Sequence, residues 1–192
     1  MSSAPTPKRA AAQDSPLVRQ ALQLAMRVLD LAEIHRKPHD MCQATAQVAR
    51  CLKAMGDYTS AESYMAQALG WTAMIPAVDA RVDVICELSE VACSLAEALQ
   101  QADDTKAAHK ARNRARDRAF EAAELAGRTA DDHWEVKVLL RASDVLNRCG
   151  DHDDAAMMQD RAITLMGLQP DPEASPEPVT EPERLQAPNL LM

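Results

Sequence analysis

The sequence predicts an all-α protein of about seven helices stacked as antiparallel hairpins, and three observations carry that prediction. Apolar residues are 47% of the chain and aromatic ones 3%, with Ala, Leu, Val and Met dominating. Ala, Leu and Met are strong helix formers, and the aromatic and β-branched enrichment of sheets is missing. Glycine occurs only five times, which leaves little material for strand hairpins. Finally, turn signals recur at a constant interval along the chain, the mark of a repeated helical unit.

Taken in order, residues 1–14 are small, polar and proline-bearing without an apolar period, and are expected to be a disordered tail. Ser15-Pro16 is a helix start, with a hydroxyl N-cap and proline in the first turn. Leu17, Ala21, Leu24, Val28 and Leu31 then mark one apolar face of a helix over 16–35, widened by Leu22, Ala25 and Leu29. A first hairpin is expected at about 39–73, turning at Gly56-Asp57, where glycine suits the left-handed residue and aspartate caps the next helix. A second occupies about 77–127 and turns at Asp103-Asp104. The third, about 131–167, turns at Gly150-Asp151. These make one helical domain, 15–168. Beyond it, prolines at 170, 172, 176, 178, 182 and 188 forbid further helix, so 169–192 is expected to be a disordered acidic tail.

The interval between hairpins is 47 residues. Leu52, Leu99 and Leu146 obey it, as do Asp57, Asp104 and Asp151; Ala61, Ala108 and Ala155; and Ala68, Ala115 and Ala162. Ala49, Ala96 and Ser143 keep the same register. A small residue in each first helix admits the second, and two alanines seven apart line the contact.

Gly56-Asp57-Tyr58-x-x-Ala61…Ala68-Leu69 resembles the tetratricopeptide repeat, and Gly150-Asp151-His152-x-x-Ala155…Ala162-Ile163 is similar to it. The middle copy has drifted to Asp103-Asp104-Thr105. The first-helix tryptophan signature is replaced by Thr45, Val48, Ala49 and Leu52, and the period of 47 exceeds the family's 34. The resemblance implies a right-handed superhelix in which helix 16–35 caps the stack. It also implies that an extended peptide binds the concave face made by the first helices. Carried over by register, that face comprises Gln43, Ala46, Arg50 and Lys53; Glu90, Cys93, Glu97 and Gln100; and Lys137, Leu140, Asp144 and Asn147.

A second candidate is the basic run on helix 105–126, where Lys110, Arg112, Arg114 and Arg116 flank an alanine stripe and offer an acidic-partner or RNA contact. Asp117 and Glu121 interrupt it and Phe120 is its only aromatic, so a solvated, ion-paired face is the expectation. His35, His39 and Cys42 have no fourth partner to complete a metal site, and no nucleophile or phosphate-loop motif occurs. No catalytic, cofactor or metal site is therefore expected. The five cysteines lack a CxxC pair and read as reduced thiols.

The formal charge is −8, of which 169–192 contributes half. The mildly acidic remainder argues against general nucleic-acid affinity, and no apolar run spans a bilayer. The expectation is a cytoplasmic, non-catalytic adaptor for a protein or peptide, its oligomeric state open. One variant of that reading is a chaperone resembling the small acidic tetratricopeptide chaperones of bacterial secretion systems. The apolar end Leu185–Met192 reads either as a plain disordered end or as a short docking motif for the protein's own groove.

Overall fold

The computed structural model describes residues 15–167, so the expected tails lie outside the described residues. Within them run seven helices: α1 Pro16–His35, α2 Pro38–Met55, α3 Tyr58–Thr72, α4 Val78–Gln101, α5 Thr105–Ala126, α6 Asp132–Cys149 and α7 His152–Leu165. Each packs mainly on its neighbours in sequence, and α4 also touches α6. The hairpins α2–α3, α4–α5 and α6–α7 form an all-α stack with α1 laid against α2.

The turns inside the hairpins repeat one another. Gly56, Asp103 and Gly150 sit at φ 83°, 61° and 92°, left-handed geometry that glycine adopts freely and aspartate at a cost. The following amide then bonds back to the leucine of the preceding helix: Asp57 N to Leu52 O at 3.0 Å, Asp104 N to Leu99 O at 3.0 Å, Asp151 N to Leu146 O at 2.9 Å. Asp57 and Asp104 also cap with their side chains, accepting from Ser60 N and Ala107 N. Asp151 makes no such bond; its carboxylate is drawn to Arg116, 3.4 Å away. Ser15 likewise gives no side-chain cap; Val18 N and Arg19 N bond its carbonyl instead.

Burial follows the repeat. Ala49, Ala61, Ala68, Ala96, Ala108, Ala115, Ala155 and Ala162 are all buried, so helices meet where no side chain extends beyond Cβ. On α5 the stripe runs through Ala108, Ala111, Ala115, Ala119, Ala122 and Ala126. The core is a chain of local clusters, each shared by adjacent helices, as stacked repeats require.

One expected face is only partly buried. On α1 it is Ala25, Leu29 and Ala32, with Leu22 beside them, that pack against α2. Leu17, Leu24, Val28 and Leu31 are 73%, 61%, 54% and 62% exposed, and Ala21 is exposed too. The helix is apolar over more than half its circumference, and α2 covers only one side of that arc.

Candidate interaction site

The first helices α2, α4 and α6 bring ten of the twelve candidate residues of the first-helix face onto adjoining surfaces, whereas Ala46 and Cys93 are buried. Gln43, Arg50, Gln100, Lys137, Leu140, Asp144 and Asn147 are exposed, while Lys53, Glu90 and Glu97 are half-buried. Most are already engaged with neighbouring side chains, and Lys53 and Glu90 with each other. Arg50 makes two 2.7 Å bonds to Glu87, and Lys53 Nζ lies 3.1 Å from Glu90. Arg141 reaches the other oxygen of Glu90 at 2.7 Å and lies 3.6 Å from Asp83. Arg148 donates to Glu97 at 2.9 Å and to Ser94 at 3.2 Å. Gln100 accepts from Arg112 and Asn147 contacts His152. Bases on α2 and α6 therefore close on acids of α4 from both sides.

Electrostatics at the centre of this ladder follow from the pairing. Burial pushes the Glu90 carboxyl up, but the bonds and charge of Arg141 and the charge of Lys53 outweigh it and hold the group below the ordinary range. Asp83, with only the longer Arg141 contact, is raised by burial. The thiols of Cys93 and Cys149 lie 4.0 Å apart between α4 and α6. Hydrogen bonding between them raises Cys93 and lowers Cys149.

The basic helix is paired in the same manner. Arg114 makes 2.7 and 2.8 Å bonds to Glu62 of α3, and Arg116 reaches Asp154 of α7 at 3.0 Å while lying over the Phe120 ring. Arg118 pairs with Glu121. Of Lys110, Arg112, Arg114 and Arg116, Lys110 and Arg112 have no acidic partner among the described residues, and Arg112 donates instead to Gln100 at 3.1 Å. The second helices thus carry the reverse pattern, a basic α5 between acids of α3 and α7.

Two clefts open along the first-helix side of α2. One, of about 650 Å³, lies between α1 and α2, with Val28, Leu31 and Ala32 on one wall and Asp40, Gln43, Gln47 and Arg50 on the other. The second, of about 250 Å³, lies between α2 and α4 and includes Cys42, Gln43, Arg50, Ile75, Asp83 and Glu87. Gln43 and Arg50 belong to both. The sequence reading missed Asp83, Glu87, Arg141 and Arg148. Their signal was the column Asp83, Glu87, Glu90, Glu97 at helical spacing, and bases seven apart on α6. It also missed the α1–α2 cleft.

Among the described residues no cluster of three or more His, Cys, Asp or Glu is gathered to hold a metal, and no helix is long and apolar enough to cross a membrane. No family model matches the chain, and no curated protein matches it. Among solved structures it is similar to BtubC (BKLC) from P. vanneervenii, at 15% identity and TM-score 0.37 over 96% of this chain and 84% of that one. A Podosopora anserina chain with nearly identical TPR-like repeats matches at 15% identity and TM-score 0.38, covering 83% and 92%. The DHF58 filament matches at 21% identity and TM-score 0.43, covering 78% and 81%.

Proposed function

We propose that this protein is a non-catalytic scaffold that binds a partner protein or an extended peptide along the face of α2, α4 and α6. The observation that carries the reading is the cleft between α2 and α4, lined by Gln43, Arg50, Asp83 and Glu87 on a face built from repeated first helices. Repeat stacks present such surfaces because each hairpin adds one more helix to a continuous wall. The ladder beneath it keeps that wall rigid, so a ligand need not order it on binding. Polar groups with both signs of charge favour a mixed-sequence peptide over a uniformly acidic or basic one. The tetratricopeptide resemblance points to the same ligand class, with a cytoplasmic setting as the companion expectation.

The test is selection from a random peptide display library on the folded protein, followed by calorimetry. Gln43→Arg and Lys137→Glu change exposed positions that make no ion pair among the described residues, so the fold should survive both. Selected peptides should bind at least about tenfold more weakly to one or both variants, equivalent to about 1.4 kcal/mol. Peptides that bind both variants as tightly as the parent chain would exclude this face.

A further inference from the structure

The exposed side of α1 is the largest apolar feature that the peptide-binding reading leaves unused. Leu17, Ala21, Leu24, Val28 and Leu31 are spaced 4, 3, 4 and 3 residues apart. That is a period of 3.5, the seam spacing of paired helices. In heptad terms leucine fills all three d positions, while Ala21 and Val28 fill the a positions. A β-branched residue at a with leucine at d favours two parallel strands.

We propose that this stripe is the contact between two copies of the chain, with α1 paired in parallel with α1 of the second copy. Three features argue for a second copy. A copy of α1 matches the stripe in both length and period, so every d leucine meets its equivalent. The apolar surface is on the order of 500 Å² per copy, large for a monomer and, doubled, about the 1,000 Å² that a specific interface requires. The cleft beside the stripe also supplies charge complementarity. Arg27 and Ile34 flank the seam on the side away from α2, and parallel pairing lays them over the partner's α1–α2 cleft. Asp40 stands in that cleft's wall. Neither Arg27 nor Asp40 makes an ion pair among the described residues. Each copy would thereby close the other's cleft, giving a four-helix bundle of two α1 and two α2. Two and a half heptads are too short to pair as free peptides, but α1 is already held helical by Leu22, Ala25, Leu29 and Ala32 against α2. This contact goes beyond the peptide-binding reading. Lys137 and Leu140 lie on α6, at the other end of the stack, so loss of one interaction leaves the other measurable.

The experiment is sedimentation velocity on the 192-residue chain across a range of concentrations, with circular dichroism as the check on folding. The expected mass is twice the 20.9 kDa of one chain. Leu24→Glu with Leu31→Glu should give a monomer with unchanged helicity, because both side chains are exposed in the single chain, and with a thermal midpoint that no longer rises with protein concentration. Arg27→Glu should weaken association at least about fivefold, and adding Asp40→Arg should restore it. A parent chain that stays monomeric at about 100 µM overturns the proposal. So does a dimer indifferent to the double glutamate variant while the fold is intact. A monomer that dimerises only when Leu190 and Leu191 are both changed to Asp would assign the stripe to the chain's own C-terminal end, and would equally overturn it.

Discussion

Asp103 holds a left-handed conformation that its two register partners assign to glycine. The conformation costs an L-residue roughly 1 kcal/mol, less for aspartate than for most. Asp103→Gly is therefore expected to stabilise the protein by about 0.5 kcal/mol, after the extra freedom glycine gives the unfolded chain. Gly150→Ala meets no atom within 4 Å of the new Cβ, so its cost is conformational alone. It should destabilise by about 1 kcal/mol. Urea denaturation at pH 7 checks both signs, and a neutral Gly150→Ala would remove the shared-turn account. Glu90 supplies the pH-dependent counterpart. Its carboxyl lies below its ordinary value in the folded state, so its stabilising contribution is complete above the unfolded pKa and is lost as pH falls through the folded one. Glu90→Gln should cost roughly 1–2 kcal/mol at neutral pH, and the gap to the parent chain should close below about pH 4. These turns were legible in the sequence because Gly56, Gly150 and the three aspartates report purely local geometry. Whether an aspartate caps its helix or pairs with an arginine was not legible, since Asp151 is settled by Arg116 on another hairpin.

At the scale of single helices, α5 and α1 make opposite use of apolar residues. The alanines of α5 are buried on both flanks, so the helix gains its place by close approach rather than by large side chains. Ala115→Leu would force added methylenes into that contact and should destabilise by at least about 1–3 kcal/mol. The same change at exposed Ala156 should do almost nothing, and calorimetric melting of the two variants separates the cases. The arginines beside the stripe read in the sequence as a solvated, ion-paired face, and Arg114 and Arg116 are fastened to Glu62 and Asp154. A charge column on one helix does not say which neighbour will face it, so those pairings lay beyond periodicity. The partly exposed face of α1 has a related origin. Its apolar arc is wide enough for two neighbouring stripes, and periodicity cannot choose which one α2 will cover.

For the molecule as a whole, nearest-neighbour packing predicts graded rather than uniform resistance to opening. Central α4 contacts α3, α5 and α6, whereas α7 packs mainly on α6. Amide hydrogen exchange should accordingly be slowest in α4 and fastest in α7, by at least about tenfold; equal rates in both would indicate a single cooperative unit. The ladder between hairpins has a different kind of consequence. The shared turn geometry makes the hairpins interchangeable in backbone, so a chain shortened by one period, with Gly56 joined directly to Asp104, would keep its turns. Yet that splice would bring α2 beside α6, setting Arg50 and Lys53 against Arg141 and Arg148 where the parent chain sets them against acids. The backbone permits repeats to be lost, while the charges fix the order in which they stand.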